Sequence, residues 1–298
     1  MQDNLIKVAL VIPVYNRRET TLRGLRSLSR INKQGLEIRT FVVDDGSTDG
    51  TGDAIAKGFP EVELITGDGT WHYAAGTNRG IEAALEWEPN YVATMNDDAC
   101  FHQNFLQSLV KTARNNERSI VGSLLLLWDE PHKVFQVGQI WNTFSGGWVI
   151  PEDLTAFNVP QEPFGVECIV GNSVLFPIEA IRECGRMDEK RFPSGWGDAQ
   201  YMVRMRKAGW TLLVDPKSFV WCEPNTYPKP LHSLSVKDRL KILFVNEKHP
   251  LNLKRQFIAR WDSAPSKFKA IGAFGAYLVS LLAKTLKYLT ISDATRSF

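Results

Sequence analysis

The chain has 298 residues, 44% hydrophobic and 23% charged, which are globular values and exclude disorder, collagen and a simple coiled coil. Its net charge of +2 hides an asymmetry: residues 229–298 hold 13 Lys/Arg against 4 Asp/Glu, a net of +9, and the remainder is net −7. Four scattered cysteines (Cys100, Cys168, Cys184, Cys222) with no C-x-x-C pair argue against a zinc ribbon or disulfide framework and for a reducing compartment.

The opening MQDNLIKVALVIPVYN does not read as a secretion signal, because Asp3 precedes the apolar run and no small-residue cleavage site follows. Lys7–Pro13 is a Val- and Ile-rich run, the pattern of a strand buried on both faces. Leucines at 22, 25 and 28 with arginines between them predict an amphipathic helix over Arg17–Leu28. A second strand over Phe41–Val43 stops at Asp44-Asp45-Gly46-Ser47, and Ser47 or Asp49 is expected to cap a helix running to Phe59. Val62–Ile65 is a third strand, broken by Gly67-Asp68-Gly69, and Ala74–Glu86 a helix. Tyr91–Met95 is a fourth strand ending at Asn96-Asp97-Asp98. This alternation predicts an α/β fold with a mostly parallel sheet.

Further on, Ile120–Leu127 and Ile169–Phe176 read as strands, with loops and short strands over residues 128–165. Pro177–Cys184 reads as a helix with proline where a missing N–H costs nothing, and Asp198–Ala208 as a helix ended by Gly209. Thr211–Val214 is a strand expected to stop at Asp215-Pro216. A Pro-rich run, 224–230, marks a boundary between a domain at 1–228 and a basic helical extension at 229–298. In that extension Ala270–Ala283 is apolar, but as a helix it spans only about 21 Å, short of a hydrocarbon core of about 30 Å. Ile271, Phe274, Leu278, Leu281 and Leu282 share one face, and Lys269, Lys284 and Lys287 flank the run. The two readings are a helix lying in a membrane surface and an ordinary core-facing helix.

Ligands of such sheets bind beyond the carboxyl ends of the strands, and two strands end there in paired carboxylates, Asp44-Asp45 and Asp97-Asp98. Clustered carboxylates repel, and a hard cation such as Mg²⁺ or Mn²⁺ offsets that repulsion. No G-x-x-x-x-G-K-[ST] and no G-x-G-x-x-G after the first strand is present, which counts against P-loop NTPases and dinucleotide oxidoreductases.

The pieces VIPVYNR (Val11–Arg17), VVDDGSTDGT (Val42–Thr51), GDGTWHYAAGTNRGI (Gly67–Ile81), MNDDA (Met95–Ala99), GNSVLFPIEAI (Gly171–Ile181), GRMDEKRF (Gly185–Phe192) and GWGDAQYMVRMRKAGW (Gly195–Trp210) occur in an order that resembles the family 2 glycosyltransferases, inverting enzymes of GT-A fold, and their rhamnosyltransferase-like members in bacterial polysaccharide synthesis. The resemblance implies a nucleotide-sugar pocket of Pro13, Tyr15, Asn16, Asp44, Asp45, His72, Tyr73, Asn78 and Asp97. It implies Asp98 as the metal carboxylate of an Asp-x-Asp motif, Trp196 and Gly197 at the acceptor, and Asp198 as the general base. The family's downstream metal-binding His is missing near Trp221-Cys222, where Glu223 or His232 stands in for it; Asn96 replaces the first Asp of Asp-x-Asp, Gly197 a Glu, and Gln200 a second acidic residue. It further implies a Mn²⁺ or Mg²⁺ cofactor, a UDP- or dTDP-sugar donor of a hexose or deoxyhexose such as rhamnose, and a glycan or lipid-linked saccharide acceptor. The basic extension suggests an anionic membrane surface at the inner face of the cytoplasmic membrane. A second copy of the chain is a further partner considered; nucleic acid is not expected, for no such motif accompanies the basic tail. The alternative is a non-catalytic glycosyltransferase-like subunit. A sugar nucleotidyltransferase is disfavoured, because Pro13-Val14-Tyr15 stands where its glycine-rich loop belongs.

Overall fold

The computed structural model describes residues 5–151, 154–223, 231, 234–246, 249 and 251–294, with side chains of the last helix described as far as residue 284. Two compact units emerge: Met1–Gln139 with Ile150–Pro224, and Ile140–Val149 with Asn225–Phe298.

In the first unit β1 (Ile6–Val14), α1 (Arg18–Leu28), β2 (Leu36–Asp44), α2 (Thr51–Gly58), β3 (Glu63–Thr66), α3 (His72–Glu86) and β4 (Tyr91–Thr94) alternate as expected. β1 pairs in parallel with β2 and with β4, and Val8, Ala9, Leu10, Val11 and Ile12 are buried, so it is a central strand covered on both faces. Asp49 accepts hydrogen bonds from the Thr51 N–H and the Arg18 N–H, so one carboxylate fastens the starts of α2 and α1. The expected capping role of Asp49 is thus shared between two helices, whereas Ser47 accepts from the Asn16 N–H at 2.8 Å instead. α3 approaches the sheet through small residues. A Cβ on Gly80 would overlap Val11 Cγ1 and lie 3.0 Å from Val43 Cγ2, so glycine there lets α3 sit directly on β1 and β2. That contact sets where the first residues of α3, His72 and Tyr73, project beyond the strand ends.

The chain continues as β5 (Ala99–Phe101), α4 (Phe105–Asn115), β6 (Ser119–Leu127), β7 (Val134–Gln136), then β8 (Ile140–Asn142) and β9 (Gly147–Val149) of the second unit. It returns to the first unit with β10 (Phe164–Gly165), β11 (Val174–Pro177), α5 (Ile178–Cys184), α6 (Gly197–Lys207) and β12 (Thr211–Cys222). The sheet order is β10-β12-β6-β11-β4-β1-β2-β3. It is mixed: β11 lies antiparallel between β4 and β6, while β12 runs parallel to β6.

Two expectations are corrected here. The strand expected at Ile169–Phe176 is only Val174–Pro177, because residues 169–173 form the bend that carries Gly171 and Asn172 toward the end of β4. The strand expected to end before Asp215-Pro216 runs on to Cys222. Its register against β6 slips between Asp215 and Phe219, so Pro216 falls in a bulge where no ladder N–H is needed. Buried Asp215 secures the bulge by accepting from the Ser108 and Thr112 hydroxyls and the Lys217 N–H.

The second unit holds the β8–β9 hairpin, α7 (Val236–Leu240) followed by one wide turn (Lys241–Val245), α8 (Leu253–Ser263) and α9 (Lys267–Ala294). Its centre is Arg260 of α8, buried, donating to the Gly146 carbonyl of the hairpin and lying over the Tyr277 ring of α9 at 4.4 Å. Ala270, Ala273, Phe274 and Tyr277 form the inner face of α9. The outer face is apolar too: Phe268, Ile271, Val279 and Leu282 are 88%, 55%, 67% and 63% exposed. The face expected from the sequence is therefore divided, with Phe274 inward against Phe257 and Ile271 and Leu282 outward. No helix among the described residues is long and apolar enough to cross a membrane.

Candidate functional site

A cleft of about 390 Å³ opens at the carboxyl ends of β1, β2 and β4, lined by Pro13, Tyr15, Asp45, His72, Tyr73 and Asp97, together with Ser194. Asp45 is buried and accepts from the N–H groups of Gly69, Trp71 and His72, which folds the loop after β3 against the end of β2. Asn16, His72 and Trp196 all hold left-handed backbone (φ 50°, 56° and 65°), strain of the kind that collects at functional sites.

Three expected residues stand elsewhere. Asp44 is buried within its own turn, accepting from the Ser47 N–H, and does not line the cleft. Asn16 accepts from the Thr48 N–H, which ties the end of β1 to the β2 turn. Asn78 is buried; its amide donates to the Met187 carbonyl and Glu189 and accepts from the Met187 N–H. Those bonds use both amide hydrogens and one of the two lone pairs of Oδ1, so Asn78 clamps the 187–189 loop to α3.

Asp198 occupies the first turn of α6, beside buried Gly197 and after Trp196 at the helix start. Its Oδ2 accepts from the Gly171 N–H at 3.0 Å. The Tyr73 hydroxyl donates to the Gly171 carbonyl at 3.0 Å. A Cβ on Gly171 would come 2.9 Å from both Asp198 Cβ and Tyr73 Oη, so only glycine lets the acid and the phenol converge. Burial, with the charges of Asp198 and Asp98, pushes the Tyr73 phenol far above its ordinary value. Tyr73 thus lies within electrostatic reach of both carboxylates.

The second carboxylate cluster is held by an arginine. Arg17 Nη1 lies 3.0 Å from Asp97 and 3.2 Å from Asp98, and Nη2 lies 3.6 Å from Glu223, which also pairs with Arg23. Asp97 is buried, and desolvation pushes its carboxyl up to about 6 despite Arg17. Asp98 and Glu223 are 16% and 32% exposed, and the Glu223 N–H donates to the Asp98 carbonyl.

The glycosyl transferase family 2 model matches residues 9–146, which contain the cleft-lining ends of β1, β2 and β4. Those residues form a family 2 glycosyltransferase domain. Similar curated proteins include glycosyltransferase AglE of Haloferax volcanii, 27% identical over 75% of this chain and 69% of that protein. Another is the N-acetylglucosaminyl-diphospho-decaprenol L-rhamnosyltransferase of Mycobacterium tuberculosis, 23% identical over 76% of this chain and 80% of that one. Among solved structures, GalNAc-T7 with UDP, GalNAc and Mn²⁺ superposes with a TM-score of 0.62 at 16% identity, over 85% of this chain. The chain spans about half, 51%, of that structure. The fold of the glycosyltransferase is GT-A.

The residues of this glycosyltransferase suit a divalent cation in one respect. Asp98 and Glu223 supply hard carboxylate oxygens at one place, and Mg²⁺ is commonly held by one or two carboxylates plus substrate phosphate. Among the described residues no group of three or more His, Cys, Asp or Glu forms a metal cluster. His232, the other expected ligand, lies outside the described residues. Sequence reasoning gave no site role to two residues beside the cleft-lining Asp97. Arg17 reads in the sequence as a helix-start residue, and its position between three carboxylates follows only from the fold. Asn96 Oδ1 is buried with no hydrogen-bond partner among the described residues, an acceptor beside Asp97. The signal for it was its place in the Asp-x-Asp motif.

Proposed function

We propose that this glycosyltransferase is an inverting, metal-dependent enzyme. It moves a hexose or deoxyhexose such as rhamnose from a UDP- or dTDP-sugar to a lipid-linked glycan acceptor in cell-surface polysaccharide synthesis. The observation that supports this most directly is that Tyr73 and Asp97 line one cleft, with Asp198 tied to Tyr73 through the two sides of Gly171 and Asp98 tied to Asp97 through Arg17. The rhamnosyltransferase relative acts, by its name, on a diphospho-decaprenol acceptor, and the solved neighbour carries UDP and Mn²⁺.

In this reading Tyr15 and Asp45 border the nucleoside. Asp98 and Glu223 would hold a divalent cation, which would supply charge stabilisation to the leaving diphosphate. The acceptor hydroxyl oxygen bonds to the anomeric carbon from the face opposite the diphosphate. The anomeric C–O bond breaks as that bond forms, and the electron pair leaves on the nucleoside diphosphate. Asp198 takes the hydroxyl proton, fixed in position by the Gly171 N–H. A single base is sufficient for inversion; retention usually needs a second carboxylate as nucleophile. Arg17 balances the carboxylates and is placed to meet negative charge on the diphosphate.

Calorimetric titration of UDP and, separately, dTDP tests this. With Mn²⁺ we expect binding of one of them, weakened about 10- to 100-fold by EDTA or by Asp98→Ala. A folded protein that binds neither nucleotide overturns the reading.

We further propose that the second unit rests on the inner face of the cytoplasmic membrane. The outer row of α9 is apolar, Phe144 in the β8–β9 turn is 93% exposed, and lysines at 267, 269 and 284 border the row. Such a surface joins apolar insertion to attraction for anionic lipid, each basic residue contributing about 1 kcal/mol. Co-sedimentation should show binding to phosphatidylglycerol-containing vesicles, weakened by salt and by Ile271→Ser with Val279→Ser. Equal binding by the variant removes α9 from the proposal.

A further inference from the structure

A second cleft, of about 660 Å³, lies along α1 and shares no lining residue with the first. Three guanidiniums line it, Arg23 and Arg26 at i and i+3 on one face of α1 and Arg30 in the turn just past the end of that helix. The lining also includes three aromatic residues, Trp128, Trp221 and Phe101.

The groups differ in what already engages them. Arg23 pairs with Glu223 and lies 5.1 Å from the centre of the Trp128 ring, so it is fixed and its charge is balanced. Arg26 and Arg30 form no ion pair among the described residues, which leaves two positive charges on the groove. Trp128 is 45% exposed although it borders this cavity. An ordinary solvated helix face explains the arginines but not the three aromatic residues that line the same cavity. Two unbalanced guanidiniums match a diphosphate, for which arginine has the right fork geometry, and the rings match an apolar chain attached to it. A nucleoside fits less well. Lining residue Arg23 pairs with Glu223, which Arg17 links in turn to Asp98, so the groove is joined by ion pairs to the carboxylates of the reaction centre.

We infer that this groove binds a prenyl diphosphate, the diphosphate on Arg26 and Arg30 and the first isoprene units on Trp128, Trp221 and Phe101. The inference rests on the lipid-linked-acceptor reading above and gives that acceptor its anchoring site. A saccharide carried on such a diphosphate is then held by its lipid end while its sugar reaches Asp198.

Tryptophan fluorescence and calorimetry on the full chain test it, with farnesyl diphosphate as probe. Inorganic pyrophosphate, farnesol and dihexanoyl-phosphatidylglycerol are the comparators. We expect farnesyl diphosphate to bind at least about tenfold more tightly than any of the three, because it alone carries both charge and chain. Arg26→Gln with Arg30→Gln should weaken it at least about tenfold, and Trp128→Ala should remove much of the fluorescence change. Neither variant should alter UDP or dTDP affinity, which also reports that the fold is intact. Equal binding of pyrophosphate makes the groove a plain anion site, and equal binding of the phosphatidylglycerol makes it a general headgroup site; either overturns the inference. So does displacement of farnesyl diphosphate by UDP, which places it in the first cleft. If farnesyl diphosphate binds as expected and neither nucleotide binds, the donor assignment fails and the groove stands.

Discussion

Asp198→Asn is expected to lower kcat by about 10²- to 10⁴-fold, the usual contribution of a positioned general base, with nucleotide affinity unchanged. The substitution targets proton transfer. The amide keeps the size of the carboxylate, and its oxygen still accepts from the Gly171 N–H, now 3.0 Å from Asp198 Oδ2. What is lost is an oxygen able to take a proton, together with the bond that Oδ1 accepts from the adjacent Ala199 N–H. Asp198→Ala removes the Gly171 bond as well and frees the bend that carries it, so it mixes positioning with chemistry. Steady-state rates with saturating donor, beside calorimetry of the nucleotide, separate the two. A kcat for the asparagine variant near that of the wild type assigns the proton to another group and overturns the role given to Asp198.

The second large effect is expected in stability. Gly80→Ala drives a methyl group into Val11 and Val43, both fully buried, at the contact that seats α3 on β1 and β2. Neither valine has room to withdraw, and overpacking of this kind costs about 1–3 kcal/mol. Against a typical total of about 5–15 kcal/mol that is a large fraction. The urea midpoint should fall accordingly. Gly58→Ala serves as the control: its added Cβ meets nothing within 4 Å, so it should be neutral or slightly stabilising. Transfer activity of Gly80→Ala should fall more than its folded fraction does, because α3 carries His72 and Tyr73 into the cleft. Equal midpoints for the two alanine variants contradict the seating argument.

Much of the N-terminal half was legible in the sequence because its pairing is local and its signals are strong. Buried parallel strands are unbroken Val/Ile runs, and each of β1, β2 and β4 ends in polar residues that cannot continue a strand. The paired carboxylates therefore marked the strand ends correctly. Less legible was the division of labour among polar residues. Asp45, which lines the cleft, and Asp44, which is locked in its turn, are neighbours with the same side chain, and only backbone direction separates them. Asn78 carries the composition of a ligand-binding residue and the geometry of an internal clamp. The C-terminal half was harder because its register depends on distant partners. Pro216 is a strand breaker by local rule, and it is tolerated because β6, nearly a hundred residues earlier, skips its pairing there. The aromatic and arginine residues of the second cleft come from segments too far apart for any spacing rule to join them.

The insertion of β11 between β4 and β6 has a consequence for synthesis on the ribosome. Strands β1 to β4 have their parallel partners as soon as they are made, yet the outer edge of β4 stays open until Val174–Pro177 emerges. At about 5–20 residues per second, the 83 residues from Met95 through Pro177 keep that edge bare for roughly 4–17 s. β6 is exposed on the same schedule, short of both β11 and β12. Apolar strand edges of this sort pair readily with other chains. The nascent chain is thus a client for holding chaperones late in its elongation, and a fragment cut at residue 146, where the family match ends, is expected to aggregate even though it contains the cleft-lining ends of β1, β2 and β4.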